Sequence, residues 1–324
     1  MNESPLEVAE RLRRKSVEGR IDAADLETVA AWPLEEVTAL FAAADAVRRH
    51  FKGNTVAACS IMNVKSGGCG EDCTFCAQSA HNRAAVPVQP LSRPEEVVER
   101  HGVSMAHGLD FGVVSSGRRL SEADVLSIIE AVRACRGPVH ASLGILPEPL
   151  LRKLREAGVT MYHHNLEAGR SFFPRICTTH THDERAATVR AAKRAGFRVC
   201  SGGIFGLGET WRDRIELCEE LRELDVDSIP LNFLVPVEGT RVSPPKETPL
   251  EFLKIVSMFR LAHPARDLKV CGGRQFHLRG LQPLIFLAGA NGYISGDYLT
   301  TKGGTFDEDD RMLADLGLAK KAPE

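Results

Sequence analysis

The chain has 324 residues, of which 43% are hydrophobic, so it can bury a large core in one or two domains. Its formal net charge is −2, and acidic and basic residues are mixed, which argues against a nucleic acid or a membrane surface as a partner. No run reaches the roughly 18 apolar residues of a membrane span, and the N-terminus lacks a signal-peptide pattern. Nine cysteines in this setting indicate a reducing compartment, so we predict a cytoplasmic protein.

Short β-rich runs alternate with amphipathic helical segments after a charged, helix-like extension of residues 1–53. Ser121 followed by Asp124 is typical of a helix start. Eight strands joined by helices predict a parallel (β/α)8 barrel of the TIM type over residues 54–301, followed by a polar cap of residues 302–324. A doubly wound open sheet is the alternative, because periodicity does not show closure. The predicted strands are Thr55–Val64, Asp110–Ser115, Val139–Leu143, Thr160–Leu166, Arg198–Ile204, Ser228–Leu234, Leu268–Cys271 and Gly292–Ile294.

Three cysteines, Cys69, Cys73 and Cys76, form a C-x3-C-x2-C motif on a loop that follows the first predicted strand. Three thiolates at this spacing can each hold one corner of a [4Fe–4S] cluster, which leaves the fourth iron open to a small molecule. A Cys3His zinc site with His81 is the alternative. Structural zinc sites usually pair two short knuckles, however, and no second knuckle follows here. The motif therefore favours a cluster, and it resembles that of radical S-adenosylmethionine enzymes.

Polar and thiol side chains gather at the ends of the predicted strands. In a barrel, chemistry collects at the C-terminal ends of the strands, so these side chains predict one common site. By contrast, Cys59, Cys135 and Cys218 lie within apolar strand or helix patterns and are interpreted as ordinary buried residues. The strand-end residues are His163, His164, Asn165, Glu167, Cys200, Asn232, Cys271 and Arg274.

Longer motifs carry a resemblance to a known family. The chain has YHHNLEAG, CTTHTHDER, VCSGGIFGLGET, SIPLNFLVPVEGT, CGGR and FLAGANGYISGDYLTT. With the cysteine loop, these motifs resemble the biotin synthase family from about Asn54 to Thr301. The resemblance implies a radical S-adenosylmethionine sulfurtransferase that abstracts hydrogen from C9 and then C6 of dethiobiotin, with sulfur supplied by an auxiliary iron–sulfur cluster. It also implies a flavodoxin or ferredoxin reductant and a homodimer.

The same resemblance assigns roles to individual residues, none of them a protein acid or base. Cys69, Cys73 and Cys76 would hold the [4Fe–4S] cluster. The S-adenosylmethionine site would contain Phe75, Asn165, Glu167 and Arg185, although the family more often has Asp where Glu167 stands. The substrate site would contain Lys65, Asn165, Asn232, Thr300 and Thr301. These residue types suit the ligand, because amides pair with a neutral ureido ring and a cation pairs with a carboxylate tail.

The auxiliary cluster is where the chain departs from the family pattern. Well-known members hold a [2Fe–2S] cluster with three cysteines and one arginine. By the flanking motifs, two of those cysteine positions are occupied here by Gly112 and His140, whereas Cys200 and Arg274 are retained. Neither glycine nor an ordinary core histidine can replace a thiolate without a change in the cluster. The standard [2Fe–2S] site is therefore in doubt.

Two explanations of this departure compete. In the first, a different auxiliary cluster, of the four-iron type, is built from Cys200 with Cys177 and Cys271, close to Arg274. In the second, the protein is a relative without sulfur insertion, similar to methylornithine synthase or to a hydrogenase maturase. The retained substrate-side motifs favour the first explanation. A non-catalytic iron–sulfur carrier is a further alternative. For Cys177 and Cys271, the alternative to a ligand role is that they are plain buried thiols.

Overall fold

The structure is a computed structural model that describes residues 3–297 and 303–324. Parallel strands form a closed barrel, in which the first strand pairs with the second on one side and with the last barrel strand on the other. The predicted (β/α)8 barrel is confirmed, and the open sheet is ruled out by this closure. The barrel strands are β1 Thr55–Lys65, β2 Asp110–Ser115, β3 Val139–Ser142, β4 Val159–His163, β5 Arg198–Cys200, β6 Gly203–Phe205, β7 Ser228–Phe233, β8 Asp267–Val270 and β9 Gly292–Ile294.

One predicted strand, Arg198–Ile204, is interrupted in the structure. Two short strands, β5 and β6, occupy this position and are separated by Ser201 and Gly202. A Cβ atom on Gly202 would lie 2.0 Å from the backbone oxygen of Pro230 on β7, so the backbone approaches its neighbour too closely for any side chain. The break therefore follows from glycine at this point.

Helices surround the barrel, and most of the long ones begin at a Ser, Thr or Asp whose side chain accepts a hydrogen bond from the third helical residue. The predicted start at Ser121 is confirmed. The helices are α1 Pro5–Val17, α2 Ala23–Ala30, α3 Val37–Lys52, α4 Pro94–Ala106, α5 Glu122–Ala134, α6 Glu148–Ala157, α7 His182–Arg194, α8 Trp211–Glu223, α9 Pro249–Ala262, α10 Arg274–Leu278, α11 Leu284–Leu287 and α12 Phe306–Asp315. None of the helices in the described ranges is both long and apolar enough to span a membrane.

The N-terminal helices pack on α9, which is buried from Phe252 to Ala262. Polar contacts fix the two layers together. Ser16 Oγ donates to the backbone oxygen of Leu261 at 2.7 Å, and Lys254 Nζ donates to the backbone oxygens of Ala30 at 2.8 Å and Trp32 at 3.0 Å. Because α1–α3 cover its outer side, α9 is buried on all its faces from Phe252 to Ala262.

The C-terminal segment is attached at two points. A short strand, β10 Ala319–Lys320, pairs in parallel with the start of β1. Before it, Asp309 of α12 accepts a hydrogen bond from Arg274 at 2.6 Å, and both side chains are almost fully buried. The predicted polar cap thus contains a helix and a strand, and one buried ion pair joins it to the barrel.

Candidate active site in the barrel mouth

A cavity of about 350 Å³ opens at the C-terminal ends of the strands and continues into the barrel interior. Its lining joins residues that are distant in sequence, as the strand-end rule predicts. His163, His164 and Asn165 come from the end of β4, and Cys200 comes from β5. The sequence-predicted site residues in the lining are Cys69, Cys73, Phe75, Cys76, Asn165, Glu167, Arg185, Cys200, Asn232 and Cys271.

The cysteine loop is held in shape by its own backbone and by one amide side chain. The backbone N–H of Cys69 donates to the oxygen of Gln78 at 3.0 Å. Asn82 Nδ2 donates to three backbone oxygens, those of Cys73 at 3.0 Å, Thr74 at 3.3 Å and Cys76 at 2.9 Å. Three carbonyls directed at one amide bend the loop so that its cysteines line the cavity together.

A second loop, after β7, supports the first. Arg241 Nε donates to Asn82 Oδ1 at 2.9 Å, and the backbone N–H of Arg241 donates to the oxygen of Thr74 at 3.0 Å. Gly239 lies so close to Arg83 that a Cβ atom would meet its backbone at 2.5 Å. Sequence analysis missed Asn82 and Arg241 as positioning residues. The only signal was proximity in sequence, since Asn82 lies six residues after Cys76 and Arg241 directly follows the VEGT segment.

The donor set fits a cluster better than zinc. Cys69, Cys73 and Cys76 line the cavity, whereas the exposed ring of His81 meets the backbone oxygen of Gly70 at 3.1 Å and is not part of the lining. Burial raises the pKa of Cys76, so in the metal-free chain this thiol holds a proton that a metal must displace. Apolar residues pack behind the loop, as suits a thiolate-bound cluster shielded from water: Phe75, Ala168, Phe172, Phe173 and Ile176.

Opposite the loop, a cation, a carboxylate and an amide form one wall. Arg185 NH1 donates to the backbone oxygen of Asn165 at 2.8 Å and lies 3.6 Å from Glu167 Oε1. Burial raises the pKa of the Glu167 carboxyl, and the Arg185 charge opposes this shift. Glu167 has a φ of 72°, which its backbone bonds with Gly202 and Ile204 maintain. This wall can bind a zwitterion that also carries hydroxyl groups.

Asn232 faces the same cavity from β7. Its Nδ2 donates to the backbone oxygen of Gly203 at 3.2 Å, and its Oδ1 accepts from the N–H of Gly272 at 2.9 Å. Each end of this amide has further hydrogen-bonding capacity for a ligand, since an amide has two N–H donors and two lone pairs.

Lys65, one of the three residues predicted for the substrate's tail, is not brought to this cavity by the structure. Lys65 is absent from the lining, and its Nζ donates to Asp124 Oδ2 at 3.0 Å on the outer side of the barrel mouth. Asp124 lies in the first turn of α5 and carries the opposite charge, so it forms a partly exposed ion pair with Lys65. The other two predicted residues, Thr300 and Thr301, lie outside the described residues.

Three thiols meet in the barrel interior below this site. Cys59, Cys200 and Cys271 are buried and line the same cavity, and Cys59 packs with Cys271 in one apolar cluster. Burial raises the pKa of Cys271 well above its usual value. Burial raises the pKa of Cys59 to about 12 and that of Cys200 to about 11, so both thiols are protonated in the metal-free chain. Cys59, interpreted above as an ordinary core residue, therefore belongs to a thiol cluster.

A buried lysine accompanies the thiols. Lys269 Nζ donates to Cys59 Sγ at 2.8 Å and lies 3.4 Å from Asp110 Oδ2. Gly112 and His140, which stand at the two lost cysteine positions, also line this part of the cavity. Burial lowers the pKa of His140 to about 4, so its ring is neutral near pH 7.

The structure does not assemble the auxiliary ligand set expected from sequence. Cys177 packs beside Cys73 of the cysteine loop, and the interaction between the two neighbouring side chains raises the pKa of Cys73 and lowers that of Cys177 to about 4. Arg274 is engaged with Asp309 and does not line the cavity. The set that the structure brings together is Cys59, Cys200 and Cys271 with Lys269, because strand alternation points these four side chains inward.

Comparisons with known proteins agree with this geometry. A sequence profile described as "Radical SAM superfamily" matches residues 63–221, and one described as "Biotin and Thiamin Synthesis associated domain" matches residues 230–319. The biotin synthase of Pelotomaculum thermopropionicum is 48% identical over 313 residues, which cover 94% of this chain and 98% of the relative. The chain belongs to the biotin synthase family. The biotin synthase of Heliobacterium modesticaldum is 52% identical over 289 residues, covering 87% of this chain and 89% of the relative.

The solved structures that resemble this member of the biotin synthase family show the shared fold. Methylornithine synthase superposes with a TM-score of 0.82 at 22% identity, covering 96% of this chain and 97% of that one. A maturase of the [FeFe]-hydrogenase gives the same TM-score at 14% identity, with 98% and 76% covered. Because the relatives of about 50% identity are biotin synthases, the methylornithine and maturase alternatives are not favoured. Membership of the family implies a [4Fe–4S] cluster and S-adenosylmethionine.

Proposed function

We propose that this chain converts dethiobiotin to biotin, by hydrogen abstraction at C9 and C6 and insertion of sulfur. One observation carries the proposal: the cysteine loop, an amide-lined wall and a cluster of three deep thiols share a single cavity. When bound, the [4Fe–4S] cluster and S-adenosylmethionine supply a 5′-deoxyadenosyl radical that abstracts hydrogen. The protein residues then have three tasks, which are to hold the two cofactors, to orient one C–H bond and to exclude water.

Each wall of the cavity has residues suited to one of these tasks. Cys69, Cys73 and Cys76 would hold the cluster. Arg185 would pair with the methionine carboxylate, while Glu167 would accept hydrogen bonds from the ammonium or ribose groups. Asn165 and Asn232 would bind the ureido ring, since a side-chain amide complements a urea in both donor and acceptor. Phe75 would close the apolar side of the S-adenosylmethionine site.

We further propose that Cys59, Cys200 and Cys271 hold the auxiliary cluster that supplies sulfur. Three thiols in an enclosed space form a soft donor set that suits iron and sulfide. Lys269 would donate hydrogen bonds to the sulfur atoms, as it does to Cys59 Sγ in the metal-free chain. This set replaces the one drawn from sequence, with Cys59 in place of Cys177 and Lys269 in place of Arg274. The type of cluster stays a prediction.

Anaerobic reconstitution with iron and sulfide tests the catalytic proposal. With a reductant, S-adenosylmethionine and dethiobiotin, the wild type should release 5′-deoxyadenosine and form biotin. Asn232→Ala should form little biotin but still cleave S-adenosylmethionine, whereas Asn54→Ala, at an exposed position, should match the wild type. Circular dichroism would establish that each variant is folded. If the reconstituted wild type releases no 5′-deoxyadenosine, as expected of an iron–sulfur carrier, the proposal is wrong.

Iron and sulfide analysis tests the auxiliary site separately. Cys59→Ala and Cys271→Ala should each lose the second portion of iron and sulfide but retain cleavage of S-adenosylmethionine. Cys177→Ala should keep both portions, because its thiol lies beside the cysteine loop. The opposite pattern, in which Cys177→Ala loses the iron and Cys59→Ala keeps it, would restore the ligand set expected from sequence. The flavodoxin or ferredoxin reductant, the homodimer and the cytoplasmic location stay predictions.

A further inference from the structure

Cys177 has surroundings that the proposed reaction does not use. It lies on the segment that leads into α7 and is 4% exposed. Its Sγ lies 3.3 Å from Asp72 Oδ1 and 3.2 Å from His180 Nδ1. None of these contacts reaches the thiols of the barrel interior, so Cys177 needs a different explanation from Cys200 and Cys271.

The partner of Cys177 is one particular cysteine of the loop. The sulfurs of Cys73 and Cys177 lie within 4.8 Å of each other and of a ring nitrogen of His180. The loop therefore places the Cys73 thiol beside the CTTHT segment.

The two backbones that carry these thiols run side by side. The N–H of Thr74 donates to the oxygen of Ile176 at 2.8 Å, and these two residues are the direct neighbours of Cys73 and Cys177. The N–H of Thr178 donates to Asp72 Oδ1 at 2.8 Å and tightens the same contact. A disulfide requires Cα atoms roughly 4.4–6.8 Å apart, and a backbone hydrogen bond between the direct neighbours of the two cysteines keeps the two chain segments close together.

We propose that Cys73 and Cys177 form a reversible disulfide when the chain holds no cluster. Each thiol loses its proton, one S–S bond forms, and the two electrons pass to dioxygen, which takes up two protons and leaves as hydrogen peroxide. A dithiol reverses the reaction by thiol–disulfide exchange. The disulfide protects a cluster ligand from irreversible oxidation to the sulfinic acid. It also blocks the cluster site, a consequence that rests on the proposed role of Cys73.

Peptide mapping of the cluster-free full chain tests the proposal. After exposure to air-saturated buffer and alkylation of free thiols, trypsin should yield the peptides 66–83 and 176–185 joined together, lighter than their sum by two hydrogen atoms. Peptide 176–185 contains Cys177 and no other cysteine. Dithiothreitol should separate the two peptides and restore the ability of the chain to take up iron and sulfide at the loop.

Matched variants decide between the available cysteines. Cys177→Ser should abolish the joined peptide and leave Cys73 open to sulfinic acid formation under peroxide, whereas Cys135→Ser should behave as the wild type. If the joined peptide persists in Cys73→Ser, or if the wild type links only cysteines within peptide 66–83, the proposal is overturned. Because mapping requires no biotin formation, its failure is distinguishable from a failure of the proposed reaction.

Discussion

The buried ion pair between Arg274 and Asp309 should be essential to the stability of the fold. Asp309 accepts from Arg274 NH2 and from Ser295 Oγ, both at 2.6 Å, and the two paired side chains are 1% and 5% exposed. Asp309→Ala leaves a buried guanidinium without its counter-charge, at a cost of about 3–5 kcal/mol. The Ser295 hydroxyl, left without its acceptor, adds about 1 kcal/mol. We therefore expect a loss of about 4 kcal/mol or more in the free energy of unfolding.

Urea unfolding of the reduced, cluster-free chain, followed by circular dichroism at 25 °C, measures this loss. The matched control is Asp310→Ala at the next position, where the carboxylate pairs with Lys320 but is 44% exposed. This exposed pair should contribute less than about 1 kcal/mol. If the two variants unfold within about 1 kcal/mol of each other, the reasoning about the buried pair is refuted. The double variant Arg274→Met with Asp309→Leu should recover most of the stability and keep its full iron content, because Arg274 pairs with Asp309 and does not line the cavity.

Two further changes have outcomes that the structure determines. Gly202→Ala should destabilise the chain by more than about 2 kcal/mol in the same assay, since its Cβ would lie 2.0 Å from the Pro230 oxygen. Gly102→Ala, in a helix with open space around it, should be neutral or stabilising, and equal losses in both would contradict the steric argument. Burial lowers the pKa of His263 to about 3, so the unfolded chain takes up a proton first as pH falls below about 6.5. The contribution of His263 to the free energy of unfolding is fully present above that pH and should therefore decline as the pH falls toward 3. His263→Gln should flatten this decline and the exposed His50→Gln should not, so equal slopes in both would refute the assignment.

The barrel and the upper part of its site could be predicted from sequence because their signals are local. Strand patterns and helix caps gave the alternation of elements, and the C-x3-C-x2-C spacing gave the loop. The break between β5 and β6 was missed, because a strand pattern does not reveal that Gly202 approaches Pro230. The roles of Asn82 and Arg241 were missed for a similar reason, since they act on a loop that only folding brings to them.

The roles of the thiols in the barrel interior could not be assigned from sequence. A strand that is buried on both faces shows no alternation of apolar and polar residues, so its inward-facing residues cannot be identified. Cys59 lies in an apolar run whose inward and outward residues look alike. Lys269 is inside β8 and points inward, whereas Arg274 follows the strand and turns toward α12. Cys177 and Cys271 both lie near a strand end in the sequence. Only the folded chain shows that Cys271 is in the barrel interior and that Cys177 is beside the cysteine loop.

The packing of α9 against the N-terminal helices bears on how much of this chain can be removed. No motif of the family falls in residues 1–53, so a boundary chosen by motifs would cut there. Such a truncation would expose a helix with eleven consecutive buried residues and leave Ser16's partner oxygen and the Lys254 ammonium without their contacts. A shortened chain would present this apolar surface to other copies of itself and to chaperones. Residues 1–53, which carry no family motif, must therefore be kept in any shortened chain that is to stay monodisperse in water.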